Sequence, residues 1–156
     1  MATWQDFEHE APELASAVRA RFEANKHHVL ATLRRDGSPR VSGIEVNFLG
    51  ADLTLGSMHG AAKARDLQRD ARFALHSNPS DETLAGGDSK LSGRAVEITD
   101  ENELAAYAAD LPEPPPGPFQ AFRLEVEQVV HTTVGEDHLW ITSWRPGEPV
   151  RRIQRH

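Results

Sequence analysis

The chain has 156 residues, a net charge of −7 and no cysteine. The length makes one ordinary domain with enough chain for a real core, and the acidic balance argues against nucleic-acid binding, which needs a basic face to displace counterions from phosphates. Without cysteine there is no disulfide, thiolate nucleophile or zinc–thiolate site, which fits a cytoplasmic protein. The opening MATWQDFEHE is polar and acidic, and no apolar run approaches the ~20 residues of a membrane span, so neither signal peptide nor anchor is expected.

Pro12 to Asn25 places Leu14, Val18 and Phe22 four apart behind a proline at a first helical position, which predicts an amphipathic helix. From His28 the period changes. HHVLATL, RRDGSPR and VSGIEVNFLGADLTLGS read as strand, turn, strand, turn, strand, with Asp36-Gly37 and Gly50-Ala51-Asp52 supplying the turn chemistry of an antiparallel meander. Val41 is out of phase with Ile44, Val46 and Phe48, and Gly43 at the slip predicts a bulge or a place where another body approaches the backbone.

Leu53 to Leu75, LTLGSMHGAAKARDLQRDARFAL, is the stretch around which the chain is organised. It reads as a strand to Ser57, a small-residue turn over Met58 to Ala61, a helix from Ala62 to Asp70 and a strand from Arg72. A turn opening onto a helix start presents unpaired N–H groups and the positive end of the helix dipole, and Lys63 adds a full charge there. This is either a phosphate pocket or an ordinary strand-to-helix connection. If the helix persists, Arg65, Arg69 and Arg72 form one stripe, alternating with Asp66 and Asp70 as a solvated, charge-paired face; Lys63 lies about 160° away around the axis.

The polar run 77–90 is long enough for a lid, a partner contact or a disordered segment. KLSGRAVEIT reads as a strand, Asp100 and Glu103 start a helix through about Ala109, and LPEPPPGPF, holding five of the ten prolines, reads as a stiff spacer or as a proline-rich ligand for another domain. Two further strands, FRLEVEQVVHTTV and DHLWITSW, precede a basic tail, RPGEPVRRIQRH. About six strands joined by short turns, with three helices interrupting, predict α+β architecture with a small barrel.

Conventional catalytic groups are scarce. Of eight histidines only His27 and His28 are close, and neighbours on a strand point to opposite faces, so no metal-ligand spacing arises. Ser57 lacks a G-x-S-x-G setting, and no Walker or G-x-G-x-x-G loop occurs. Such a pattern is expected where a bound cofactor supplies the reactivity.

The order VLATLRRDGSPRVSGIEV, LTLGSMHGAAKARDLQRDARFAL, KLSGRAVEI resembles the split β-barrel superfamily of pyridoxamine 5′-phosphate oxidase-like flavin and deazaflavin proteins, from His28 to about Trp144. The resemblance implies an FMN-binding split barrel, assembled as a homodimer, with the cofactor in a groove between subunits. It places the cofactor phosphate near Lys63, with Ser57 as a phosphate-side hydroxyl and Gly60, Ala61 and Ala62 as N–H donors, and runs the backbone of Ser42, Gly43, Ile44 and Glu45 along the ring system. True pyridoxamine phosphate oxidases carry an arginine before the lysine and further basic residues on the preceding strand; here those places hold Ala62, Ser42 and Asn47. Their carboxy-terminal substrate signature is also missing, so vitamin B6 oxidation is not expected.

FMN, with a phosphate approaching two charges, normally wants more than one cation, whereas the phosphodiester of deazaflavin coenzyme F-420 carries one, which Lys63 and a helix start could balance. The cofactor is therefore expected to be F-420 or FMN, with haem or none as alternatives, and the activity an oxidoreductase passing a hydride to or from a small organic substrate, or else a non-catalytic carrier. Glu45 and Asn47 share a strand face, and Glu45 could be a proton donor or simply an exposed carboxylate. His59 in the turn could meet the cofactor or only solvent.

Overall fold

The computed structural model describes residues 1–79 and 83–156. Its elements are α1 (Trp4–Glu10), α2 (Pro12–Glu23), β1 (His28–Leu33), β2 (Pro39–Ile44), β3 (Val46–Leu49), β4 (Asp52–Met58), α3 (Ala62–Arg69), β5 (Arg72–His76), β6 (Asp88–Glu97), α4 (Glu101–Asp110), β7 (Phe119–Val134), β8 (Leu139–Trp144) and β9 (Arg151–Arg155). The fold is α+β. All nine strands belong to one antiparallel sheet ordered β2-β1-β5-β6-β7-β4-β3, with β8 on β7 and β9 on β8.

Two features turn this sheet into a split barrel. Only Glu45 separates β2 from β3, the two ends of the strand order, so the chain itself carries the sheet round from one end to the other. The sixteen-residue β7 keeps β6 as a neighbour but pairs β4 over its first part (Phe119 to Leu124) and β8 over its last (Val129 to Val134). A β-bulge makes the change of partner possible: Ser92 faces Gln128 but Gly93 faces Val126, leaving Glu127 as the extra residue. A Cβ on Gly93 would lie 1.8 Å from the Glu125 carbonyl oxygen, so only glycine fits.

The core follows the alternation of the strands. Leu30, Leu53, Leu55, Leu75, Leu124, Val126 and Val129 are buried inside the barrel, with Val18 and Phe22 of α2 against them. Helix α1 is pinned there by its rings: Trp4 meets Phe7 and Phe48 edge-on at 5.0 and 4.8 Å, and Phe7 meets Trp144 at 4.7 Å. Aromatic pairs of this kind add roughly 0.5–1.5 kcal/mol each beyond their buried area. A smaller cluster on the outer face gathers Ile98, Tyr107 and Ala121 beneath α4. The proline-rich segment connects α4 to β7 through a series of bends.

Several expectations change. Among the described residues there are nine strands and four helices rather than about six and three. The acidic N-terminus folds as α1, started by a Thr3/Asp6 capping box, and the basic tail is β9, with Arg152 stacked 3.8 Å over the Trp140 ring. Gly43 is not a bulge, because β1 and β2 stay in register from Leu33↔Pro39 to His28↔Ile44. Val41, 71 % exposed, simply faces outward; the bulge is at Gly93. Of the 77–90 run, residues 80–82 lie outside the described residues. Asn78 closes on β1, its N–H donating to His28 Nδ1 at 3.0 Å, and the buried Ser89 hydroxyl meets His131 Nδ1 at 2.7 Å. Among the described residues no helix is long and apolar enough to cross a membrane.

Candidate functional site

The turn between β4 and α3 is held from β7 and its approach. The His59 N–H donates to the Pro118 carbonyl (3.1 Å), the Gly60 N–H to Gln120 Oε1 (2.9 Å) and the Ala61 N–H to the Met58 carbonyl (3.1 Å). Gly60 takes the left-handed conformation, φ +76°, that lets the chain enter the helix. Of the three amides expected to face an anion, those of Gly60 and Ala61 are thus engaged within the protein. Helix α3 has no side-chain cap, so the N–H groups of Ala62 and Lys63 have no partner within the helix.

Lys63 bridges the two segments that the sequence singles out. Its Nζ donates to the Gly43 carbonyl at 2.7 Å, twenty residues away in sequence, tying the helix start to β2. Burial pushes the ammonium below its ordinary pKa, and no carboxylate lies within ion-pair distance of it among the described residues. A partly desolvated cation satisfied by one neutral carbonyl retains donors and charge for an anion. Gly43 has open space where a Cβ would be. Ser42 is half-buried beside it, whereas the Ile44 side chain is in the core, so Ile44 offers backbone only.

The remaining expected residues differ in exposure and partner. Ser57 is buried and its hydroxyl donates to the Met58 carbonyl at 3.1 Å. Glu45 is exposed, 3.8 Å from both Lys26 Nζ and His27 Nδ1. The Asn47 carbonyl accepts from Thr54 Oγ1 at 2.9 Å, and His59 is exposed.

Beside the turn is an open hollow of about 770 Å³, lined by Arg34 and Arg35 of the β1–β2 turn, Arg40 of β2, and Arg65 and Arg69 of α3, with Asp36 and Asp66. Asp66, 2 % exposed, is its fixed point. One carboxylate oxygen accepts from Thr32 Oγ1 (2.8 Å) and Arg40 Nε (2.7 Å), the other from an Arg69 guanidinium nitrogen (2.7 Å). Burial pushes this carboxyl up, but the hydrogen bonds from Arg40, Thr32 and Arg69 outweigh it and hold the pKa below its ordinary value.

The expected arginine stripe is therefore half right. Arg69 pairs with Asp66, and Arg72 with Asp70 at 2.7 Å, its hydrogen bonds holding that carboxyl at about 2. Yet Asp66 is buried rather than solvated, Arg72 lies on β5 beyond the helix end, and Arg65 has no ion pair among the described residues. Sequence reading missed Arg40, Thr32 and Gln120. Their partners lie 26, 34 and 60 residues away, and helical or strand period cannot report such pairings; the one signal was Arg40 as the single charged residue of its strand.

No curated protein sequence matches this chain. Solved structures of similar fold include a pyridoxamine 5′-phosphate oxidase-related, FMN-binding protein from Nostoc punctiforme. It has TM-score 0.65 and 16 % identity, with 94 % of this chain and 96 % of that one covered. A haem-binding protein from Mycobacterium smegmatis has TM-score 0.59 and 22 % identity, over 84 % and 58 % of the two chains. An F420 reductase has TM-score 0.51 and 18 % identity, over 66 % and 87 %. At such identities the likeness is one of fold, and the three names point to three different cofactors. The sequence itself decides the family: a family profile described as pyridoxamine 5′-phosphate oxidase matches residues 14–133, most of the barrel with the turn, Lys63 and Gly93 inside it, and the chain belongs to that family.

Proposed function

We propose that this protein is a flavin- or deazaflavin-dependent oxidoreductase that holds its cofactor phosphate at the start of α3 and the cofactor ring along β2. The observation that carries this reading is the Lys63–Gly43 bond, which sets an unpaired, half-buried cation between the helix start and the open backbone of β2. The residues present fit a phosphate: the Ala62 and Lys63 amides, which have no partner within the helix, and the Lys63 ammonium. Both FMN and F-420 stay within the proposal.

A flavin or deazaflavin, when bound, supplies hydride chemistry. The protein's own contribution is position: Lys63 and the α3 start fix the phosphate, the Ser42–Ile44 backbone fixes the ring edge, and Gln120 keeps the turn in shape. Glu45 is the acid nearest to that strand and would serve as proton donor only if closure of the groove desolvates it. We assign that closure to a second copy of the chain. The outer face of β1, β5, β6 and β7 presents Val29, Ala31, Ala74 and Val130 around a shallow depression of about 330 Å³, and Val41 is exposed on β2, a surface suited to homodimerisation.

Titrating the purified protein separately with FMN and F-420, read by tryptophan fluorescence, tests the reading. One cofactor should bind, and Lys63→Ala should weaken it about tenfold or more, the worth of a charge-assisted hydrogen bond. Absence of binding by either would overturn it. A non-catalytic carrier is the second reading, favoured because no acid–base pair stands beside the turn among the described residues; it predicts binding without any substrate-dependent change in the cofactor spectrum.

A further inference from the structure

The hollow beside α3 holds more positive charge than one phosphate requires. Five arginines face two aspartates there, a surplus of three in a chain whose net charge is −7. Arg40 and Arg69 are committed to Asp66. Asp36 is committed as well, its carboxylate accepting from the Ser38 N–H at 2.9 Å and from the Ser38 hydroxyl. Arg34, Arg35 and Arg65 have no carboxylate within ion-pair distance among the described residues. They are not on a floppy segment. The β1–β2 turn is a tight loop in which the Arg34 N–H donates to the Ser38 carbonyl (2.8 Å), the Gly37 N–H to the Arg34 carbonyl (2.9 Å), and Gly37 sits at φ +84°. Opposite it, an Arg65 guanidinium nitrogen lies 3.8 Å from where a Gly60 Cβ would be.

We propose that this hollow is a second anion subsite, for a ligand chain carrying at least two oxyanions, carboxylate or phosphate, beyond the group held at Lys63. The inference rests on the cofactor reading above and deepens it. Lys63 and Arg65 lie about 160° apart around the helix axis, so they serve different groups: Lys63 turns to β2, and Arg65 turns to the hollow. Guanidinium forks bind carboxylate and phosphate oxygens in pairs, and three of them with no ion pair among the described residues repel one another until a polyanion enters. The oxyanions could belong to an acidic extension of the bound cofactor or to a separate acidic small molecule.

The test uses the full chain, calorimetric titration at low salt, and four probes: inorganic tripolyphosphate, the peptide tri-glutamate, FMN, and F-420 bearing several glutamates. The variants are Arg34→Gln/Arg35→Gln, on an exposed turn where folding is preserved, and Lys63→Ala. Tripolyphosphate and tri-glutamate should bind the wild type and weaken about tenfold in the double variant, with little change in Lys63→Ala. If glutamylated F-420 also weakens about tenfold while FMN does not, the oxyanions are the cofactor's extension. If only the free polyanions respond, they belong to a separate acidic molecule. The subsite is overturned if neither polyanion binds the wild type, or if the double variant binds both as the wild type does. Failure of the cofactor reading looks different: FMN and F-420 both fail on the wild type while the free polyanions still respond.

Discussion

On the α3 side of the hollow, Arg40 and Arg69 converge on the buried Asp66; on the hairpin side, Arg34 and Arg35 project from a surface turn and make no ion pair among the described residues. The residue type is the same and burial makes the difference. A carboxylate withdrawn from water must be matched by donors, so the braced wall is part of the folded structure. Guanidinium groups left in solvent cost the fold little and stay available to a ligand. An arginine count alone would have merged these two roles.

The largest effect that would break the contrast is at Asp66. Asp66→Ala strands two cations and the Thr32 hydroxyl and should cost about 3–5 kcal/mol in chemical denaturation; a loss below about 1 kcal/mol would show that the braced wall is no brace. Arg40→Met removes one charged donor and should cost about 1.5–3 kcal/mol.

Titration of stability sharpens the same point through two windows. Asp66 has a folded pKa below its ordinary 3.8, so its contribution is complete above that pH and is lost as the pH falls through the lowered value. Asp66→Asn should flatten this acid limb. Burial holds His28 and His131 below their ordinary 6.5, so the folded chain keeps them neutral, and stability present above that pH should fall as the pH drops through the lowered values. Melting temperature should therefore decline first in the histidine window and again in the carboxylate window, and Asp66→Asn should spare the first. The smallest effect is on the open wall: Arg34→Gln/Arg35→Gln should change stability by no more than about 0.5 kcal/mol, and a larger loss would mean that these arginines, too, are structural.

What could be read in the sequence was what lies along the chain. The turn at Asp36-Gly37, the β4–turn–α3 succession, the helix behind Asp100 and the family resemblance all rest on neighbours within a few residues. The chain was also readable as α+β. Bonds across the sheet were not: Lys63 to Gly43, Arg40 to Asp66 and Gly60 to Gln120 join elements whose order in the barrel no periodicity specifies. Gly43 drew attention for a phase slip that was only Val41 facing outward, while the glycine that does sit at a bulge, Gly93, was hidden inside a regular-looking strand. Helix α1 was missed because a polar, acidic segment conceals two aromatic rings placed three residues apart, Trp4 and Phe7.

Glu45, the sole residue between β2 and β3, also fixes the arithmetic of the barrel. Ile44, Val46 and Phe48 all reach the core, so inward and outward positions keep the same parity across the seam. Losing or gaining one residue there would turn every side chain of one strand inside out, exposing Phe48 or drawing Asn47 inward, whereas two added residues would restore the alternation. Length at this seam is therefore constrained modulo two, a restriction on insertions and deletions that applies whatever side chain stands at position 45.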